Sequence, residues 1–143
     1  MSAIILNELY LGNVLNANRL DWLNQKNIRT IICVASKEDV RIKPEIHSSK
    51  TVYQFEIYDN ENQELDFNKI IQLIEKNMQR GAVLVNCAAG VSRSATFVIA
   101  YLMKTKHISL EEAYQIVKRA RPKIAPNQSF LDQLMKFEKK IIG

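Results

Sequence analysis

The 143-residue chain is poor in the residues that mark the more unusual classes of protein. It has only two cysteines, which excludes a disulfide framework and suits a reducing compartment. Four glycines and three prolines exclude a collagen-like chain, and no Pro/Gly/Ser-rich stretch divides the sequence. No apolar run approaches the length that spans a bilayer. Because 47% of the residues are hydrophobic, we expect one compact domain over residues 1–143.

The two ends of the chain lack targeting patterns. Residues 1–4 carry no basic segment followed by an apolar stretch, and residue 2 is Ser, so no secretory or myristoylation signal is predicted. The final Lys-Ile-Ile-Gly is not a prenylation motif. We therefore expect a protein of the cytoplasm or nucleus without a membrane anchor, and we take a monomer as the default state.

A basic stripe is also missing, although the formal net charge is +5. The positive residues are scattered, and no nucleic-acid-binding module accompanies them, so no nucleic-acid partner is expected. Solvated helix faces are the simpler interpretation of this charge, and attraction of anionic substrates is the alternative. The two histidines, His47 in a predicted loop and His107 at a predicted helix end, have no metal-ligand spacing. The sequence thus predicts neither a metal nor another cofactor.

Hydrophobic periodicity predicts strands that alternate with helices. The predicted strands cover residues 4–6, 9–11, 30–34, 51–57 and 82–85. Predicted helices cover residues 17–26, 67–78 and 93–103, and two more begin at the caps Ser109 and Asn127, while residues 36–50 form a long loop. This order predicts a single α/β domain, with a mostly parallel central sheet of about five strands and helices on both faces.

One segment combines several chemical signals: residues 85–94, which read Val-Asn-Cys-Ala-Ala-Gly-Val-Ser-Arg-Ser. It connects a predicted buried strand to a predicted buried helix through small residues. A loop at a helix N-terminus leaves backbone N–H groups unpaired, and the helix dipole adds partial positive charge there. Together they favour an anion of phosphate size, and Gly90 permits the backbone torsions that such a cradle needs. The segment therefore predicts a phosphate-binding loop.

Cys87 is the predicted nucleophile of this loop, because the amides and Arg93 would stabilise its thiolate. Arg93 has a planar guanidinium that can hold two phosphate oxygens at once. Ser94 can donate a hydrogen bond to Cys87 and ease departure of the thiolate. The structural alternative is an inert buried cysteine. Cys33, which is followed by no comparable glycine and arginine, is predicted to be such a core residue.

The segment Cys-Ala-Ala-Gly-Val-Ser-Arg-Ser-Ala-Thr closely resembles the signature loop of the dual-specificity protein tyrosine phosphatases. The resemblance extends over nearly the whole chain, through residues 9–13, 30–34, 113–122 and 127–138. It implies a phosphatase-like fold and a metal-free, two-step reaction through a cysteinyl-phosphate. It also implies a phosphoprotein substrate, carrying phosphotyrosine or phosphoserine/threonine. The implied substrate-binding residues are Ala88, Ala89, Gly90, Val91, Ser92 and Arg93.

The resemblance further implies a general acid, which protonates the leaving oxygen. That role maps to Asp59, after the strand predicted over residues 51–57. A turn aspartate is the alternative interpretation of Asp59. Asp66 is the rival candidate, although its position predicts a residue at the start of a helix.

The chain departs from the family pattern at Asn86, where the family usually has His. Asn can form hydrogen bonds but cannot carry charge. We expect activity to be kept but weakened, since the loop would lose one electrostatic support for the thiolate. Alternatively, Asn86 merely ties the loop to a neighbouring backbone group. Two functional alternatives also stay open: a phosphopeptide-binding module without turnover, and a phosphatase for a phosphoinositide or an RNA 5′ phosphate.

Overall fold

The computed structural model describes residues 1–142, so Gly143, the last residue of the predicted domain, lies outside the described residues. The strands are β1 (Ser2–Ile5), β2 (Leu9–Gly12), β3 (Ile28–Cys33), β4 (Thr51–Gln54) and β5 (Ala82–Asn86). The helices are α1 (Val14–Ala17), α2 (Leu20–Gln25), α3 (Pro44–Ser49), α4 (Phe67–Met78), α5 (Arg93–Lys106), α6 (Leu110–Ala120) and α7 (Gln128–Ile142). Within the described chain no helix is both long and apolar enough to cross a membrane.

The five strands form one sheet in the order β1-β2-β5-β3-β4, which confirms the predicted α/β architecture. Only the edge strand β1 runs antiparallel to its neighbour; the other pairs are parallel. Every residue of β2 and β5 is buried, as expected of strands covered by helices on both faces. Since β5 lies at the centre, the residues that follow it emerge at the middle of the carboxyl edge of the sheet.

The buried helix predicted over residues 93–103 is confirmed as α5, whose residues from Arg93 to Met103 are all buried. It packs against the sheet and against α4, α6 and α7. His107 ends it in the left-handed region, with a φ of +54°. The predicted caps of the last two helices are also present, because Ser109 Oγ accepts from Glu112 N at 3.1 Å and Asn127 Oδ1 accepts from Phe130 N at 2.9 Å.

The single helix predicted over residues 17–26 is wrong, since the chain forms two short helices, α1 and α2. Asn18 lies between them and its side-chain amide donates to Val14 O at 3.2 Å and to Arg41 O at 2.9 Å. Its Oδ1 accepts from Lys43 N at 2.8 Å. A side chain that binds the backbone in this way competes with helix continuation. The interruption thus depends on a segment more than 20 residues further along the chain.

Other predicted boundaries are also corrected by the structure, since the strands predicted over residues 4–6 and 30–34 run over Ser2–Ile5 and Ile28–Cys33. The loop predicted over residues 36–50 contains α3, which begins with Pro44, so His47 is helical and not a loop residue. The strand predicted over residues 51–57 ends at Gln54. There the side-chain amide of Gln54 donates to Ala35 O and Val40 O, at 3.0 and 2.9 Å. These bonds anchor the loop after β3 to the end of β4.

Candidate active site

The loop formed by residues 87–92 connects β5 to α5 at the carboxyl edge of the sheet. Cys87 follows the last residue of β5, and Arg93 is the first residue of α5. Both side chains are buried: Cys87 is 2% exposed and Arg93 is 6% exposed. The strand–loop–helix context predicted for the motif is therefore present.

All five carbonyl oxygens of residues 87–91 are held by donors outside the loop. The donors, in order along the loop, are Asn86 Nδ2 at 3.3 Å, Val14 N at 3.0 Å, Arg121 Nη2 at 3.2 Å, Arg121 Nε at 2.7 Å and Ala125 N at 2.8 Å. In a trans peptide each N–H points opposite to the preceding carbonyl. The amides of residues 88–92 therefore point inward, away from these donors, and none donates to an acceptor among residues 1–142. They form an electropositive hollow.

Gly90 is the residue that allows the loop to turn at this point. Its φ is +69°, in the left-handed region that disfavours side chains. A Cβ there would also lie 2.6 Å from both Gly12 O and Arg121 Nη2. Any larger residue would displace the β2 end or the arginine that binds the loop carbonyls, so the shape of the hollow depends on this glycine.

Cys87 and Ser94 face each other across the loop, with 3.1 Å between Sγ and Oγ. Either atom can be the donor when the thiol is protonated; if the thiolate forms, the hydroxyl must donate. Ser94 is fully buried on the first turn of α5, so its hydroxyl is fixed by the helix. The structure thus brings together the sulfur and the hydroxyl that were paired from the sequence.

Arg93 is oriented by two groups that the sequence did not indicate. Its Nη1 donates to Asp39 Oδ2 at 2.7 Å and to the carbonyl of Ile57 at 2.8 Å. Its Nε is buried and has no partner among residues 1–142. A buried guanidinium N–H without an acceptor is costly, so this N–H is expected to take up an added acceptor. Both contacts are made by Nη1, so the other nitrogens of the guanidinium make no hydrogen bond within residues 1–142.

Asp59 contacts the loop formed by residues 87–92, whereas Asp66 caps a helix instead. Asp59 Oδ1 accepts from Ser92 Oγ and from Asn127 Nδ2, both at 2.9 Å. Asp66 instead caps α4, where its Oδ1 accepts from Lys69 N at 3.2 Å. The turn that carries Asp59 is therefore docked onto the signature loop, while the Asp66 carboxylate serves a helix end.

Asn86 is fully buried, and its amide binds the backbone of the loop as well as a neighbouring sulfur. Its Nδ2 donates to Cys87 O at 3.3 Å and contacts Cys33 Sγ at 3.7 Å. Its Oδ1 has no partner in the described chain. This hydrogen bond to the Cys87 carbonyl is the contact expected under the alternative interpretation, in which Asn86 only ties the loop to a neighbouring backbone group. Burial raises the pKa of Cys33 to about 12, which is consistent with the core role predicted for that residue.

Arg121 binds the outward-facing carbonyls of the loop. From the sequence, this residue was expected only to lie at the end of a helix. Burial lowers its pKa, but the guanidinium remains charged, and the nearby Cys87 acts in the opposite direction. Two of the five carbonyl contacts come from this one side chain. We infer that Arg121 acts through the loop, by keeping the amides turned inward, and makes no contact with the reacting atoms.

We predict that Arg121→Lys weakens oxyanion binding because an ammonium cannot bind the Ala89 and Gly90 carbonyls with the same fork. Hydrogen bonds to charged groups contribute about 1.5–3 kcal/mol each, so the inhibition constant of orthovanadate should rise roughly 10- to 100-fold. The matched control is Arg119→Lys, an exposed residue in the last turn of α6. An unchanged vanadate constant in folded Arg121→Lys, as judged by its melting temperature, would contradict this role.

A parallel α/β sheet that presents Cys87 and Arg93 at the two ends of an amide-lined loop defines the protein tyrosine phosphatase class of folds. Within that class the chain belongs to the dual-specificity phosphatases, since residues 9–140 match the family described as "Dual specificity phosphatase, catalytic domain".

The relatives support this membership over almost the full chain. Human dual specificity protein phosphatase 4 is 40% identical over 145 residues, covering 97% of this chain; the chain spans only 35% of that relative's length. The crystal structure of the human tyrosine phosphatase-like serine/threonine/tyrosine-interacting protein superposes with a TM-score of 0.92 and 32% identity, covering 100% of this chain and 98% of that one. The structure of PTPMT1 in complex with PI(5)P gives a TM-score of 0.83 at 25% identity, covering 97% and 94%.

Proposed function

We propose that this chain is a phosphatase that removes phosphate from phosphotyrosine and phosphoserine/threonine of proteins, and that residues 1–143 form its catalytic domain. The observation that carries the proposal is the orientation of the loop: five outward carbonyls leave the amides of residues 88–92 facing one hollow, with Cys87 at its edge. Since the nucleophilic thiol must stay reduced, the proposal places the protein in the cytoplasm or nucleus.

In the first step, the Cys87 thiolate attacks phosphorus in line with the ester bond. The S–P bond forms as the P–O bond breaks, and Asp59 donates a proton to the leaving oxygen. The loop amides and the Arg93 guanidinium hold the three equatorial oxygens of the transferring phosphoryl group. Asp59 is supported in this role by its contact with Ser92, which places the carboxylate at the rim of the loop.

In the second step, water attacks the cysteinyl-phosphate and Asp59 accepts a proton from it. The S–P bond breaks and the electron pair returns to sulfur as thiolate. The Ser94 hydroxyl, 3.1 Å from Sγ, is positioned to donate to that thiolate and so to improve it as a leaving group. Neither step requires a metal ion.

We predict that Asp59→Asn loses the most activity on substrates with a basic leaving group. General acid catalysis contributes roughly 10²–10⁴-fold, so kcat/KM for phenyl phosphate should fall by that order. The fall should be much smaller for p-nitrophenyl phosphate, because its leaving group needs little protonation. The measurement is kcat/KM for both esters in wild type and variant.

Asp66→Asn is the matched control for this prediction, because asparagine caps helices as well as aspartate does. It should leave both rates unchanged. An equal loss on both esters in Asp59→Asn, or a selective loss in Asp66→Asn, would contradict the assignment of Asp59. Absence of any turnover in the wild type would favour the binding-module alternative.

Two observations favour the binding-module alternative: Asn86 stands where the family usually has His, and the chain superposes closely on a human protein named as phosphatase-like and interacting. Against it stand Cys87, Arg93 and Asp59, all retained and all assembled at one loop. The phosphoinositide alternative draws on the structure of PTPMT1 with PI(5)P. Against it, Ala88, Ala89 and Val91 supply no basic side chain inside the loop.

A further inference from the structure

A second strongly positive site lies at the amino edge of the sheet, opposite the catalytic loop. It is a cavity of ≈580 Å³ between the starts of β3 and β4 and the segment that precedes β5. Three cationic side chains line it, from Arg29, Lys50 and Arg80, and no carboxylate does. Because β3 rises by about 3.3 Å per residue over six residues, the cavity lies roughly 17 Å from the carboxyl edge.

The three cations have no acidic partners. The ion pairs formed within residues 1–142 join Arg19 to Asp21 and Arg93 to Asp39, and neither involves this cavity. Lys50 Nζ instead donates to Asn24 Oδ1 at 2.6 Å. Burial lowers the pKa of Lys50, and the charge of Arg29 acts in the same direction. The like charges therefore repel one another without an internal counterion.

Arg29 is held in this arrangement by the backbone beneath it. A Cβ built on Gly81 would lie 2.8 Å from Arg29 Cγ and 3.0 Å from its Cδ. The φ of Gly81 is +149°, so the backbone also favours glycine there. The aliphatic part of Arg29 thus packs onto a bare backbone segment, which directs the side chain along the wall of the cavity.

The helix dipoles offset only part of the positive charge of these side chains. In a parallel α/β topology the helices end at the amino edge of the sheet, and α2, α3 and α4 all do so here. Each helix C-terminus carries at most about half a negative elementary charge. Three of them supply no more than roughly −1.5, whereas the formal charge of the three side chains is +3. An excess of positive charge remains, and the hydroxyls of Ser49 and Thr51 add hydrogen-bond donors.

We propose that this cavity binds a phosphate group. Two guanidinium groups and one ammonium, with hydroxyl donors between them, match the charge and the several oxygens of a phosphate better than those of a monoanion. The absence of carboxylates from the lining excludes the chemistry of a divalent-cation site. The phosphate belongs either to a phosphorylated side chain of a protein or to free phosphate in solution. The site is separate from the catalytic loop, and its occupation does not depend on turnover.

The test is a titration of the ¹⁵N-labelled protein with inorganic phosphate, followed by amide chemical shifts at constant ionic strength. We expect saturable shifts at Lys50, Thr51 and Gly81, in addition to those of the catalytic loop. The triple variant R29Q/K50Q/R80Q should weaken binding at this cavity at least tenfold. The control triple K106Q/R119Q/K139Q removes the same charge from exposed positions elsewhere and should bind as wild type does.

Phosphate binding at the cavity and the proposed enzymatic activity are tested by separate measurements. Turnover of p-nitrophenyl phosphate should be unchanged in both triple variants, and the shifts of residues 88–92 report the catalytic loop. If R29Q/K50Q/R80Q does not fold, the single variant Arg80→Gln, whose exposed side chain makes no hydrogen bond within residues 1–142, should still weaken binding. The proposal is overturned if Lys50, Thr51 and Gly81 show no saturable shift, if chloride reproduces the shift, or if both triples lose binding equally.

A second arm of the titration distinguishes the two sources of phosphate. A phosphoserine peptide is added to the Cys87→Ser protein, so that the ester is not cleaved. Binding at the cavity that is at least tenfold tighter than that of inorganic phosphate supports the proposal with a phosphorylated protein segment as ligand. Equal affinities support it with free phosphate as ligand. If neither probe binds at the cavity, the proposal is overturned.

Discussion

Replacement of Cys87 by serine is expected to abolish turnover of aryl phosphates, by a factor on the order of 10⁴ or more. A serine hydroxyl remains protonated at neutral pH and has no base beside it, because its neighbour Ser94 is itself a hydroxyl. The five outward carbonyl contacts involve the backbone of residues 87–91, so the hollow should survive the change. We therefore expect loss of turnover with retained binding of a phosphate mimic such as tungstate, measured calorimetrically.

Cys33→Ser is the matched control for Cys87→Ser. Cys33 is buried at the end of β3, and its raised pKa, about 12, keeps it a neutral thiol throughout the working range. Its replacement should leave kcat/KM intact and affect stability at most. Iodoacetamide at pH 7–9 should accordingly label Cys87 alone. Substantial residual turnover in Cys87→Ser would contradict the assignment of Cys87 as the nucleophile. A loss of rate in folded Cys33→Ser would contradict the assignment of Cys33 as a core residue.

Arg93→Lys is expected to cost on the order of 2–4 kcal/mol of transition-state stabilisation, or roughly 30- to 10³-fold in kcat/KM. One side of the guanidinium is already occupied, since Nη1 binds both Asp39 and the Ile57 carbonyl. The other guanidinium nitrogens make no hydrogen bond within residues 1–142, and we expect phosphoryl oxygens to bind them. A single ammonium cannot serve Asp39 and two phosphoryl oxygens in a fixed plane.

The control for Arg93→Lys is Asp39→Asn, which keeps an oxygen acceptor for Nη1 but removes the ion pair. Because the Asp39 side chain is 43% exposed, solvent already screens much of its charge, and the loss of activity should be the smaller of the two. Near-normal kcat/KM in Arg93→Lys would be inconsistent with a bidentate clamp. An equal loss in both variants would assign the main role to the ion pair instead.

The elements that sequence periodicity predicted well are those whose character is set by neighbouring residues. The strand 82–85 and the helix 93–103 were expected to be buried because each is nearly continuously apolar, and both are. The helix 67–78 was predicted with the bounds it has in the structure. The helix 17–26 failed because Asn18 binds Arg41 and Lys43, and no local pattern encodes that contact.

The residues of the candidate site fall into the same two groups: those that the local sequence predicts and those that only the tertiary structure brings together. Cys87, Gly90, Arg93 and Ser94 lie within eight consecutive positions of a strand–loop–helix unit, so short-range backbone geometry brings them together and their spacing alone predicts a phosphate-binding loop. The groups that orient them come from elsewhere: Asp39 is 54 positions from Arg93, Arg121 is 31 from Gly90, and Asn127 is 68 from Asp59. In sequence these three look like an ordinary loop aspartate, a helix-end arginine and a helix cap. Only the sheet order and the packing of α5, α6 and α7 place them at the loop, because contacts over such separations depend on how the elements assemble and not on local propensity.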